Sequence, residues 1–180
     1  MVVCATLLGA ACFLALFVCS GWYDVGADRP HTAAVHVLLS ILRDRSIERR
    51  AAQVIVPALD DPARVREGAE HYSAMCVDCH LAPGLTVSEI RAGLVPRPPN
   101  LSRQAIDPGV AFWAIKHGIK ASGMPAWGVT HSDEEIWNIV SFVHQLPQMT
   151  PQAYRTMTAI AADGEPDHEM DEHHHEHEHP

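Results

Sequence analysis

Two cysteines three positions apart, with a histidine directly after the second, stand at Cys76-Val77-Asp78-Cys79-His80. No other segment restricts the chain as strongly, because this spacing is that of covalent haem attachment. On a helical turn both thiols reach the vinyl groups along one edge of a porphyrin, and the adjacent imidazole falls beneath the iron. Thioethers at Cys76 and Cys79 then hold one haem c, with His80 as the proximal ligand. A redox dithiol and half of a zinc site share the spacing. The first needs a βαβ setting, whereas this segment reads as helix; the second needs another ligand pair at matching distance. The other cysteines of the five are Cys4, Cys12 and Cys19, in an apolar N-terminal stretch where a thiol behaves as a small hydrophobe.

The sixth iron position is best matched by Met124, in the run Lys120-Ala121-Ser122-Gly123-Met124-Pro125-Ala126-Trp127-Gly128. Gly123 lets the backbone turn and Pro125 stiffens the exit. A thioether is a soft, neutral ligand for both ferrous and ferric iron and raises the potential relative to two imidazoles. Met1 is terminal, Met75 precedes the first thiol on the wrong side, and Met149, Met157 and Met170 lie beyond the last core helix. His117 and His131 remain alternatives, and Met124 as a packing residue is the plain reading of any methionine.

Residues 2–23 carry no charge over 22 positions, which meets the about 20 that a helix needs to cross the hydrocarbon core. Residues 1–23 are therefore a transmembrane anchor or an uncleaved signal, with Trp22 and Tyr23 at the membrane–water boundary. Val25-Gly26-Ala27 offers small residues for a processing site, so a cleaved signal peptide is the rival. Residues 24–61 read as a spacer, helical from about 31 to 53, lying along the membrane surface or along the domain that follows. Its end, 54–61, is extended.

A domain over 62–147 is expected to be all-α, with about three core helices. Asp61-Pro62 starts the first. The proline- and glycine-rich run 81–100 forbids regular structure. Asp107-Pro108 opens the second helix and Gly118 ends it. Ser132 and Glu135 form a capping box for the third, which Pro147 stops. Residues 148–162 are a C-terminal extension. Residues 163–180 hold eight acidic and no basic side chains, which carry all but one unit of the net charge of −9. With six histidines and almost nothing apolar, that tail is expected to be disordered. Its His173, His174, His175, His177 and His179 suit Zn, Cu or Ni; a solvated extension is the alternative. No basic face suited to nucleic acid is present.

Residues 62–146 resemble a class I c-type cytochrome, on the Cys76–His80 motif, the Gly123–Gly128 loop and a crossed pair of terminal helices. Gly68 and Tyr72 match the family's glycine and aromatic on the first helix; Ile139 and Phe142 match the aliphatic and aromatic on the last. The resemblance implies prolines lining the haem pocket, onto which Pro83 and the Pro96–Pro99 run map. It also implies a tryptophan such as Trp127 near a propionate, with Arg97 as a further partner. Trp113 and Trp137 are read as core. Attachment of this kind takes place outside the bacterial inner membrane, which puts the domain in the periplasm, tethered by residues 2–23.

The expected function is single-electron transfer between respiratory redox partners, from a dehydrogenase or quinol-oxidising complex toward a terminal oxidase or reductase. An iron held by His80 and Met124 has no open position, which disfavours bond-making catalysis. A fixed cytochrome subunit of a larger dehydrogenase is an alternative, and so is a haem enzyme or gas sensor with an open sixth site. Lys116 and Lys120 are the only lysines, so a strongly basic docking ring is not expected.

Overall fold

The first long element is set by composition alone. In the computed structural model, which describes residues 2–162, helix α1 spans Val2–Cys19 and buries none of its residues. It is the one helix among the described residues long and apolar enough to cross a membrane. The tail histidines expected to suit a metal, His173, His174, His175, His177 and His179, lie outside the described residues. After the bend at 20–32, α2 runs Ala33–Ala51.

Helix α3 (Pro62–Met75) begins where Asp61 accepts a hydrogen bond from the Ala63 amide at 2.9 Å, with proline at its first position. The four-residue α4 (Val77–His80) follows at once. The run 81–100 is not wholly irregular: Ser88 caps a single turn, α5 (Glu89–Ala92), because a serine followed by Glu-Ile-Arg-Ala supplies a local start between the prolines. Asp107 caps α6 (Pro108–His117), and Gly118 ends it. Ser132 and Glu135 form the expected capping box on α7 (Asp133–Gln145). The Ser132 hydroxyl and amide hold the Glu135 carboxyl below its usual pKa range. A last helix, α8, spans Pro151–Ala162. No strand occurs among the described residues, so the described part is all-helical, as expected.

The core forms where α3 crosses α7. Gly68 is the contact point: a Cβ there would lie 1.9 Å from the Asn138 carbonyl oxygen, so only hydrogen lets the backbones approach this closely. Tyr72 and Phe142 are fully buried beside it, ring centroids 5.2 Å apart, over Ile136, Ile139 and Val140. Full burial of each such side chain is worth about 1.5–3 kcal/mol. Phe112 of α6 stacks on Trp137 at 4.2 Å, tying the middle helix to α7.

Two segments outside this trio also pack on it. The C-terminal end of α2 buries Ile47 and Ala51 against α6, and the Arg50 guanidinium lies over Trp113, which is half-buried. Helix α8 packs on α3 and buries Tyr154, whose ring is 6.2 Å from Phe142. The sequence treats both as appendages because each has only one or two residues that reach the core.

Candidate functional site

The cross of α3 and α7 closes one side of a cavity of about 520 Å³. Cys76, Cys79 and His80 line it from the corner between α3 and α4, and Met124 and Trp127 line it from the loop after α6. Pro96 and Arg97 reach it from the proline run. All seven candidate residues within the described part thus meet at one space. The rest of the lining is largely apolar, with Val110 and Ile115 from α6 and Ile139 and Val143 from α7.

His80 is held in one tautomer. Its Nδ1 lies 3.0 Å from the Pro99 carbonyl oxygen, which can only accept, so Nδ1 carries the proton and Nε2 keeps its lone pair. Burial pushes the imidazole below its ordinary pKa range, against the opposite pull of the Pro99 carbonyl. A neutral ring with a free Nε2 is the form that binds a metal. The turn itself is braced. Leu101 N donates to the His80 carbonyl at 3.1 Å, and the Ser88 hydroxyl donates to the Asp78 carbonyl. Leu81 adopts a φ of 62°, costly for a residue with a Cβ. The Tyr72 hydroxyl donates to the Leu81 carbonyl at 2.5 Å and helps hold that conformation. Burial keeps the Tyr72 phenol protonated well above its usual range, as a donor must be. Arg91 Nη2 donates to the Pro98 carbonyl at 3.0 Å and steadies the segment on which His80 hangs. Its Nε is buried without a hydrogen-bond partner among the described residues.

Met124 hangs from a lighter frame. Ile119 N donates to the Met124 carbonyl at 3.1 Å, and Met124 N donates to the Ser122 hydroxyl at 3.2 Å. Gly118, at φ 64°, permits the turn: a Cβ there would lie 2.7 Å from the Pro125 carbonyl carbon. Neither alternative imidazole lines the cavity. His117 packs on Trp113 at 4.9 Å, and His131 packs against His71 at 5.4 Å and Trp127 at 5.5 Å.

Three residues fall elsewhere than the sequence suggests. Pro83 does not line the cavity; its neighbour Gly84 lies against Pro151, because the chain leaving Leu81 turns toward the start of α8. Met75 does line it, since the last turn of α3 brings the residue before Cys76 to the same corner. Trp113 is not fully buried and faces α2 instead. Sequence reasoning also missed Arg43 and Ile47, one turn apart on α2, which line the cavity. Their spacing is visible in the sequence, but nothing there says that this end of α2 folds back.

The donor set decides what the cavity can hold. Burial and the neighbouring Cys79 push the Cys76 thiol up to about 12, so it is a poor thiolate for metal binding or disulfide exchange. No group of three or more metal-ligating side chains occurs among the described residues. Two thiols on one turn, an imidazole with a free Nε2, a thioether and apolar walls fit a haem joined through its edge. A family model described as cytochrome C oxidase, cbb3-type, subunit III matches residues 63–143. No curated protein and no solved structure matches the chain. The matched residues carry most of the lining of this cavity, and they support a class I c-type cytochrome domain over this part of the chain, a kind of domain that holds haem c covalently and carries electrons.

Proposed function

We propose that this chain is a membrane-tethered monohaem electron carrier, in which Cys76 and Cys79 would join the haem through thioethers and His80 and Met124 would hold its iron. The observation that carries the proposal is the meeting of these four side chains at a single largely apolar cavity. Haem c, when bound, supplies a one-electron ferric–ferrous couple. The protein's part is to hold and insulate that couple. Pro99 fixes the His80 tautomer, and Ser122 and Ile119 hold the Met124 backbone. The apolar lining from α6 and α7 keeps water out. Pro96 belongs to the pocket wall, and Arg97 and Trp127 are assigned to the propionates, where a guanidinium and an indole N–H both donate to carboxylates. His80 and Met124 would together hold the iron and leave it no place for substrate, which separates this reading from a haem enzyme or gas sensor.

The domain works outside the cytoplasm, on the periplasmic face of a bacterial inner membrane, with α1 as its anchor and respiratory proteins as its electron donor and acceptor. A second reading is favoured by the description of the matched family: the chain is a fixed subunit of a terminal oxidase rather than a free shuttle. Detergent-solubilised protein tests both. Haem that stays with the polypeptide in denaturing electrophoresis, and a weak red methionine-to-ferric charge-transfer band, are expected. Absence of the band together with rapid CO binding removes Met124 from the iron. Migration in a stable complex on native electrophoresis selects the subunit over the shuttle.

A further inference from the structure

Helix α2 is divided along its length in a way that electron transfer does not require. Residues 33–42, Ala-Ala-Val-His-Val-Leu-Leu-Ser-Ile-Leu, contain only His36 and Ser40 as polar side chains. Val37, Leu38, Leu39, Ile41 and Leu42 are nonetheless 45–66% exposed. The second half carries Arg43, Arg45, Arg49 and Arg50. Helical spacing separates two faces. His36, Ser40, Arg43, Ile47 and Ala51 share one, and its lower end is buried on α6. Leu38, Ile41 and Leu42, followed by Arg45 and Arg49, share the other, and it meets nothing in the domain.

We propose that this outer face seats in the surface of a lipid bilayer, with Leu38, Ile41 and Leu42 among the upper acyl chains and Arg45 and Arg49 at anionic phosphates. Three observations favour lipid over a protein partner. First, the apolar half is about 15 Å long, which is half of the hydrocarbon core: too short to span it and suited to its boundary. Second, nine residues, and so ten steps along the chain, separate Tyr23 from Ala33, a reach of at most about 36 Å. With α1 in the membrane and Trp22 and Tyr23 at its boundary, the start of α2 cannot leave the neighbourhood of the bilayer. The inference rests on that reading of α1. Third, the charge is complementary. Arg45 meets Glu48 only through an exposed contact of 3.6 Å, and Arg49 is in no ion pair among the described residues. Long arginine stems lie along apolar surface while their heads reach phosphate.

The seat has a consequence for the site. Arg43 and Ile47 line the cavity from the opposite face of the same helix, so seating α2 sets the tilt of the cavity against the membrane. The mouth is thereby presented to partners embedded in that membrane rather than left to turn on a flexible tether.

Full-length protein in vesicles of phosphatidylcholine, with or without an equal part of phosphatidylglycerol, tests this with a phospholipid carrying a photoactivatable diazirine on its acyl chain. Peptide mapping is expected to find adducts in residues 2–23 and again in 33–42, none in 54–61, and a several-fold higher yield in 33–42 when phosphatidylglycerol is present. The double substitution Leu38→Glu, Leu42→Glu is expected to remove the 33–42 adducts and keep those in 2–23. Adducts confined to 2–23 in both lipids overturn the seat while leaving the anchor intact. Adducts in neither segment remove the anchor and the seat together.

Discussion

The two sides of the cavity that hold the proposed iron ligands are built to different standards. His80 stands on a turn fastened from several directions: its ring to Pro99, its carbonyl to Leu101, the next carbonyl to the buried Tyr72 hydroxyl, and the Pro98 carbonyl to Arg91. Met124 stands on a glycine-permitted loop held by its own backbone and one serine. A ligand whose ring and turn are both fastened by hydrogen bonds to other segments keeps its position through a change of charge at the metal, whereas one framed only by bonds within its own loop shifts at small cost. The methionine side is therefore where this protein is expected to yield first, whether to denaturant, to heat or to an external ligand.

The largest effect tests the histidine side at its root. Replacing both Cys76 and Cys79 by Ser is expected to abolish haem that survives denaturing electrophoresis, since a hydroxyl does not replace the thiol in a thioether. Covalent haem persisting in that variant would remove the attachment assignment altogether. Next in size, Met124→Ala is expected to keep haem on the polypeptide yet admit CO, while Met75→Ala leaves CO exclusion unchanged although Met75 lines the same cavity. Stopped-flow CO binding separates the two; opening by Met75→Ala instead would transfer the ligand role to the α3 side.

Both sides rest on the α3–α7 crossing. Gly68→Ala forces a methyl into the Asn138 carbonyl and is expected to cost about 3 kcal/mol, read as a lowered denaturant midpoint. The smallest effects sharpen the comparison directly. Tyr72→Phe leaves the buried Leu81 carbonyl without its donor and is expected to cost about 2 kcal/mol. Ser122→Ala removes a half-buried hydroxyl that accepts from Met124 N and donates to the Ile119 carbonyl, and is expected to cost about 1 kcal/mol, with a rise in CO binding that Tyr72→Phe does not show. Equal CO access in the two variants would mean that the sides are equally braced.

Most of the site is legible in the amino-acid order because its chemistry is local. The roles proposed for Cys76, Cys79 and His80 rest on spacing within a single turn. Asp61, Asp107 and Ser132 cap helices through neighbours two or three residues away, and each is found doing so. The apolar stretch 2–19 declares itself by length and lack of charge alone. Gly68 and Tyr72 against Ile139 and Phe142 are readable only through family likeness, since nothing in either segment by itself announces a crossing.

What the tertiary structure decided depends on contacts between residues distant in sequence. The Pro99 carbonyl selects the tautomer of His80 from nineteen positions away. Pro83 stays out of the cavity lining while its neighbour Gly84 lies against α8, Met75 turns in, and the end of α2 docks on α6 while its beginning stays bare. The physical reason is one of scale. Helix starts, stops and ligand spacing follow from hydrogen bonds and torsions within about one turn, which the chain carries in its order. Which face of a helix is covered, and which polar atom meets a buried ring, follow from the burial of apolar surface summed over the whole fold, and no short stretch of sequence contains that sum.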